Sequence, residues 1–384
     1  MSFTAVLIER KSKMIIDKKW IDETWEKLDK KLSRVAVTKR GTLPYTTREG
    51  KVYDDCNVYD VNWWTNGFWP GMMWLMYDAT KNVEYKITAE VSEKLLDKAL
   101  ANFDELHHDV GFMWHISSGA NYAFTGNKES YVRNMYAANV LAGRYNLKGG
   151  YIRAWNGEGK EGYAIIDCMM NIPLLYWASR ESKDDRYKNI AMSHADKTLT
   201  YHVRPDGSVN HIVNYSSETG EVVETIGGQG YGVGSSWSRG QAWGIYGFAL
   251  SYIHTKEERY LDTAKKIANY FIAACSDDYL PKCDFRCPEE PVIYDSTAGL
   301  IAACGLIELS RIVPEFESKM YYNAALRFIK AIVDNFADWS EDSDAIITHC
   351  SENYTAGKHL TLVYADFFLA EALNKLKGID TFLW

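Results

Sequence analysis

Two kinds of helical segment alternate along the chain, and that alternation restricts the fold more than any other feature. Segments of the first kind are amphipathic and charged: "DKKWIDETWEKLDKKLSRV" from position 17, "EVSEKLLDKALANFDEL" from 90, "DDRYKNIAMSHADKTLTYHV" from 184, "EERYLDTAKKIANYFIAAC" from 257 and "SKMYYNAALRFIKAIVDNF" from 318. Such helices keep one face in water. Segments of the second kind are apolar nearly all round and rich in small residues: "GFWPGMMWLMYDAT" from 67, "IIDCMMNIPLLYWAS" from 165, "SRGQAWGIYGFALSYIHT" from 238, "DSTAGLIAACGLIELSRI" from 295 and "YADFFLAEALNKL" from 364. A helix with that surface must be covered on both sides. A shorter pair, "ISSGANYAFTG" from 116 and "KESYVRNMYAANVLAGRYN" from 128, completes the series at about six outer and six inner helices.

The predicted fold is therefore all-α: a six-hairpin (α/α)6 barrel, or toroid, in a single domain. At 384 residues the chain exceeds the usual single-core size, but a ring spreads its core around a circumference. The pairs share flavour more than letters, so the repeat is read as structural. The expected division is an N-terminal leader over 1–14, which need not be ordered, and a barrel domain over 15–384 with no linker.

Composition removes several function classes. The 43 Lys and Arg stand against 51 Asp and Glu, a net charge of −8, which offers neither a basic stripe for nucleic acid nor a polybasic membrane patch. No apolar run approaches the roughly 18–20 residues of a membrane helix, and the first residues lack a secretory pattern, so a cytoplasmic protein is expected. Seven scattered cysteines do not resemble a disulfide framework. The one close pair, Cys283 and Cys287, has poor spacing for zinc, so no metal is expected. The 13 Trp and 26 Tyr suit either a sugar-binding cleft or a large aromatic core.

Polar residues gather at the N-terminal ends of the inner segments: Asn66, Asp167, Ser236 with Arg239, and Asp295 with Ser296. Parallel inner helices would bring them to one mouth of the barrel. Asp295, Ser296 and Ser236 are read as helix N-caps. Asp167 resists that reading, because Ile165, Ile166, Cys168, Met169 and Met170 surround it and an unpaired carboxylate there is costly. Such a carboxyl has reason to hold a proton near neutral pH, as a general acid must. Asp109, in "ELHHDVGFMW", is the second carboxylate in an apolar setting and opens from a loop onto the same mouth; paired carboxylates suggest glycosidic chemistry. His108 is read as a substrate contact and His107 as a residue that holds the turn. Arg239 shares a helical face with Trp243, Tyr246 and Leu250, and an Arg beside a Trp suits a sugar carboxylate. Trp155, His211 and Gln229 lie in loops that precede inner helices.

The runs "WTNGFWPG", "HHDVGF", "IIDCMMNIPLL", "SSWSRGQAWGIYGFAL" and "DSTAGLIAACGLIEL" strongly resemble the unsaturated glucuronyl hydrolases of glycoside hydrolase family 88, over roughly residues 15 to 380. That resemblance implies a barrel enzyme without metal or organic cofactor. Its substrate would be an oligosaccharide, released by a polysaccharide lyase from a glycosaminoglycan, that carries a non-reducing-end 4,5-unsaturated uronic acid. It also implies that Asp109 and Asp167 are the two catalytic aspartates, and that Trp64, Phe68, His108, Trp155, His211, Gln229, Arg239, Trp243 and, more loosely, Tyr354 line the uronate subsite. The implied chemistry is hydration of the C4=C5 enol ether: Asp167 protonates C4 and helps activate the water that adds at C5, while Asp109 holds ring hydroxyls and, as a nearby like charge, helps keep Asp167 protonated. The resulting hemiketal opens and sheds the neighbouring sugar, so carboxylate separation does not report stereochemistry here. Gly228 stands where family members often carry a larger basic side chain, so sulfate recognition through that position is not expected; Lys358 is a candidate substitute cation, and sulfated and non-sulfated fragments both stay open. Two alternatives remain: an unsaturated rhamnogalacturonyl hydrolase acting on pectin fragments, and a non-catalytic oligosaccharide-binding toroid. Oligomeric state is left open.

Overall fold

The computed structural model describes residues 3–48 and 51–384, with side chains described from Asp17 onward within the first helix. The side chains of the expected leader, 1–14, lie outside the described residues; its backbone from Phe3 belongs to the first helix, α1 (Phe3–Thr38). The other principal helices are α2 (Phe68–Thr80), α3 (Val83–Leu95), α4 (Ala120–Thr125), α5 (Lys128–Gly143), α6 (Pro173–Ser182), α7 (Asp185–Tyr201), α8 (Ser238–Thr255), α9 (Glu258–Ala274), α10 (Ser296–Ile312), α11 (Glu315–Phe336) and α12 (Val363–Leu376). A π-helix, Gly111–Gly119, runs directly into α4.

Even-numbered helices form the inner ring and odd-numbered helices the outer one. Within the ring α2 packs on the π-helix, the π-helix on α6, α6 on α8, α8 on α10, α10 on α12 and α12 again on α2, so the circle closes. The N-terminal helix α1 pairs with α12 and completes the sixth hairpin. Burial follows the two helix flavours. In α9 only Tyr260, Leu261, Thr263, Ala264, Ile267, Ala268 and Phe271 are buried, one stripe at helical spacing, whereas α10 is buried continuously from Ser296 to Ser310.

The hairpins repeat at the level of letters, which the expectation of a purely structural repeat did not include. The turns leaving four inner helices read Thr80-Lys81-Asn82, Thr125-Gly126-Asn127, Ser182-Lys183-Asp184 and Thr255-Lys256-Glu257. In each, the hydroxyl donates to a carbonyl four residues back and the middle residue turns left-handed, with φ between 57° and 71°. Asn82, Asn127 and Asp184 then cap the next outer helix through their side chains.

Two inner segments begin differently from expectation. The run predicted as helix from 165 divides into a strand, β1 (Tyr163–Ile165), a 3-10 turn (Ile166–Met170) and α6, which starts only at Pro173, where a missing N–H is harmless. Asp167 therefore sits on a turn ahead of the helix. The segment predicted from 116 starts earlier, because the π-helix follows "HHDV" immediately. Strands β2 (Ile212–Tyr215) and β3 (Val222–Ile226) complete a small antiparallel sheet of order β1-β2-β3 at the same mouth.

Candidate active site

The small sheet places the first carboxylate. Ile165 pairs with Ile212, and the ladder continues as the Ile166 N–H donates to the His211 carbonyl at 3.1 Å. One residue further on, Asp167 Oδ2 faces His211 Nε2 at 3.6 Å. A second set of backbone bonds brings in Asp109: the Ala154 N–H donates to the Tyr163 carbonyl at 2.7 Å, and the His108 N–H donates to the Ala154 carbonyl at 3.2 Å. The loop "HHD" is thereby tied to the same sheet.

Asn171 joins the two aspartates. Its Nδ2 donates to Asp109 Oδ1 and to the Asp167 carbonyl, both at 3.3 Å, while its Oδ1 accepts the Phe112 N–H at 2.8 Å and so fixes the amide's orientation. Gly111 permits this approach, since a Cβ there would fall 2.7 Å from Asn171 backbone and side-chain atoms. Asp109 and Asp167 are only 6% and 8% exposed.

Burial pushes the Asp109 carboxyl up, but His108, together with hydrogen bonding from His107 and Asn171, outweighs it and holds the group below the ordinary carboxylate value. His107 Nδ1 lies 3.2 Å from Asp109 Oδ2, and His108 Nε2 lies 3.2 Å from Oδ1. His107 thus does more than hold a turn; it contacts the carboxylate. Burial pushes His108 below its usual value, against the pull of the Asp109 carboxylate. These three residues are the one group among the described residues whose His, Cys or carboxylate ligand atoms converge within 4.8 Å. Those atoms are already turned on one another. Cys283 and Cys287 are free thiols, with Cys287 Sγ donating to the Asp284 carbonyl.

The remaining expected residues form one connected cluster. Trp155 meets His108 edge-on at 5.9 Å between ring centroids. Gln229 Nε2 donates to the Glu352 carbonyl at 2.7 Å, and the Tyr354 N–H donates to the Gln229 carbonyl at 2.9 Å. Trp64 is partly exposed over an aromatic floor of Phe68, Phe112 and Tyr364. Beside the Glu352 loop a cleft of about 540 Å³ opens between Tyr45, Trp63 and Lys358.

Several expectations are corrected by burial. Phe68 and Trp243 have no exposed surface and pack against Phe112 and Phe368, so they belong to the aromatic core rather than to an open wall. Arg239 is 1% exposed. Its Nη1 donates to Asp295 Oδ2 at 2.6 Å and to the Ser351 carbonyl, and its Nη2 donates to the Glu352 carbonyl at 2.7 Å. Burial alone would lower its pKa, but Asp295 opposite holds it above the ordinary value. A guanidinium so engaged presents no accessible fork to a sugar carboxylate; it ties the loop carrying Ser351 and Glu352 to α8. The N-cap expectations also fail. Asp295 makes no side-chain cap bond and instead pairs with Arg239, the Ser296 hydroxyl donates to the Thr348 carbonyl, and Ser236 bonds Gln241 from a position ahead of the cap residue.

Sequence reading missed Asn171 and Trp237. Trp237 lies between His211, 4.2 Å between centroids and tilted by 40°, and the Arg239 guanidinium, 4.6 Å from the ring. Both lie inside quoted runs, "IIDCMMN" and "SSWSRGQAW". A buried Asn that follows an apolar turn was the available signal for Asn171, since such an amide needs partners on both sides.

A closed ring of helix hairpins, with two nearly buried carboxylates joined by an amide at its mouth and histidines against both, defines an (α/α)6 barrel with a candidate acid–base pair. No family model matches the chain. It is 33% identical over 363 residues to the unsaturated glucuronyl hydrolase of Bacillus sp. strain GL1, covering 91% of this chain and 96% of that one. The crystal structure of the Bacillus sp. GL1 enzyme, described as responsible for the degradation of glycosaminoglycan, superposes with a TM-score of 0.87 at 31% identity, over 94% of this chain and 99% of that one. The unsaturated chondroitin disaccharide hydrolase of Streptococcus pneumoniae is 34% identical over 333 residues, 83% of each chain. A Streptococcus agalactiae unsaturated glucuronyl hydrolase complexed with dGlcA-GalNAc6S matches with a TM-score of 0.81 at 27% identity, over 95% of this chain and 93% of that one. The chain belongs to the unsaturated glucuronyl hydrolase family.

Proposed function

We propose that this enzyme hydrates the C4=C5 bond of a 4,5-unsaturated uronic acid at the non-reducing end of glycosaminoglycan oligosaccharides made by a lyase, and so releases it. The reading is carried by the pairing of Asp109 and Asp167 through Asn171, with an oxygen of Asp167 that makes no hydrogen bond within the chain. Two carboxylates held at one mouth and given different environments can divide acid-base work between them. Asp167 donates the proton to C4 and then accepts one from the water that adds at C5. Asp109, kept ionised by its neighbours, holds the ring hydroxyls as an acceptor. The product of addition is a hemiketal, which opens and expels the next sugar.

His108, His211, Trp155, Gln229, Trp64 and Tyr354 are proposed as contacts to the uronate ring. Phe68, Trp243 and Arg239 are proposed to support that layer from below. Lys358 is exposed at the edge of the neighbouring cleft, where a sulfate or carboxylate on the second sugar could meet it. No described helix is long and apolar enough to cross a membrane. Work in the cytoplasm accords with seven thiols that all stay free.

Unsaturated uronates absorb in the near ultraviolet, so activity is read as loss of that absorbance with lyase-generated disaccharides. Loss with chondroitin, hyaluronan or heparin disaccharides is the expected outcome. Loss with pectin fragments alone would assign the enzyme to rhamnogalacturonides, and no loss with any of them would overturn the reading.

A further inference from the structure

Two of the three histidines that face the carboxylates, His108 and His211, are fixed by backbone groups of opposite kind. A backbone N–H can only donate, and a carbonyl can only accept. The Gln229 N–H points at His211 Nδ1 from 3.0 Å. That nitrogen must therefore carry the lone pair, and the ring hydrogen resides on Nε2, 3.6 Å from Asp167 Oδ2. The Gly227 carbonyl also lies 3.3 Å from His211 Nδ1, but a hydrogen there would set one N–H against another at the shorter distance, so the Gln229 contact decides. At His108 the partner is the Ala154 carbonyl, 3.0 Å from Nδ1. There a ring hydrogen must sit on Nδ1, and Nε2 faces Asp109 Oδ1 from 3.2 Å.

Gly228 makes the first contact possible. It adopts φ +59°, and a Cβ on it would fall 2.1 Å from His211 Nδ1. The left-handed backbone swings the Gln229 N–H onto the ring, and the missing side chain lets it approach. Trp237 covers the imidazole, which is 5% exposed, so water competes little for Nδ1.

We propose that Gly228 and the Gln229 N–H are positioning groups that lock His211 as the Nε2–H tautomer, making it a neutral donor aimed at Asp167, while the Ala154 carbonyl locks His108 in the opposite tautomer against Asp109. On the reaction proposed above, His211 then donates a hydrogen bond to Asp167 or to substrate at the moment Asp167 gives up its proton.

The structural half of the proposal is tested without substrate, by long-range nitrogen–proton correlation spectra of the enzyme labelled with nitrogen-15 histidine, at pH 7 to 8. Ring signals are assigned by their loss in His211→Gln and His108→Gln. The expected result is an unprotonated Nδ1 on His211 and a protonated Nδ1 on His108. The same tautomer on both rings, or averaging at His211, overturns it. In Gly228→Ala the His211 signals should move toward a tautomer mixture while those of His108 stay put; unchanged His211 signals would remove Gly228 from the role.

The catalytic half compares two substitutions. Gln can present an amide N–H near the place of Nε2, whereas Asn presents its groups near Nδ1. His211→Asn should lower kcat about 10- to 100-fold more than His211→Gln, the worth of a hydrogen bond to a charged group. Equal kcat values overturn that half. Inactivity of the wild type on every unsaturated uronide would sink the proposed reaction and leave the tautomer result standing.

Discussion

Deep in the barrel, away from the mouth, Lys375 is enclosed by charge that matches it. Its Nζ donates to Glu308 and to the Tyr246 hydroxyl and lies 3.4 Å from Glu371, which in turn accepts from Tyr246 at 2.6 Å and from the Trp384 indole at 2.9 Å. Burial would lower the Lys375 pKa, yet Glu371 and Glu308 raise it beyond its ordinary value. At the mouth the counting comes out differently. Asp167 Oδ2, His211 Nε2 and His108 Nε2 are buried without a hydrogen-bond partner. Both regions bury ionisable groups; one sets its cation between two carboxylates of the chain, and the other sets carboxylates against histidine nitrogens with no cation of the chain between them. A buried lysine paired with two carboxylates is a structural device, whereas two carboxylates held against histidines, with Asp167 Oδ2 left without a hydrogen-bond partner, are placed for proton transfer.

The largest effect expected from breaking this contrast is on rate. Asp167→Asn should lower kcat by about 100- to 10,000-fold, the worth of a positioned acid or base, with the melting temperature close to that of the wild type. Turnover near the wild-type rate would remove Asp167 from acid-base work. Lys375→Met should do the reverse. It leaves Glu308 and Glu371 buried without their cation and should reduce stability by about 3–5 kcal/mol, as removal of one partner of a buried ion pair does, while folded enzyme keeps its KM. Urea unfolding checks the first statement and steady-state kinetics the second; a loss of activity without a loss of stability would mean that the closed region is not purely structural.

Arg239 tests whether the division is sharp, because it lies at the mouth but is paired like the inner cluster. Arg239→Ala strands Asp295 and releases the carbonyls of Ser351 and Glu352, so it should reduce stability and also raise KM, since the Glu352 loop carries the Gln229 contact. Weaker substrate use with unchanged stability would restore Arg239 as a direct anion contact.

How far the sequence anticipated these places follows from the kind of signal each one leaves. Helix flavour is a property of many residues at once, so the ring of inner and outer helices was legible, down to α8 starting at Ser238 as expected. Asp167 and Asp109 were legible because a carboxylate among Ile, Cys and Met is a local anomaly. Pairing across the chain was not legible. Nothing near Asp295 announces that its partner is Arg239 rather than a helix end, because capping is the commoner use of Asp there. Nor does "VNHIV" reveal that a three-stranded sheet carries His211 to Asp167, since strands of three to five residues leave too little alternation to read. Family resemblance identified which side chains gather, but burial decided which of them face the cleft.

The smallest expected effect sharpens the mouth itself. His107 is half-buried and contacts Asp109 Oδ2, and its hydrogen bond is one of the influences that hold that carboxyl below its ordinary value. Removing it in His107→Ala leaves the burial penalty opposed by less, so the Asp109 pKa should rise. If Asp109 works as an ionised acceptor, the active fraction then begins to fall at a higher pH than in the wild type. The acid limb of kcat/KM, which reports the free enzyme, should move upward, by less than about one pH unit given the His108 and Asn171 contacts that remain. The rate on the plateau at higher pH should change little. A limb that stays in place while the plateau drops would show that His107 sets the position of Asp109 and not its charge; a limb that moves to lower pH would contradict an ionised Asp109 altogether.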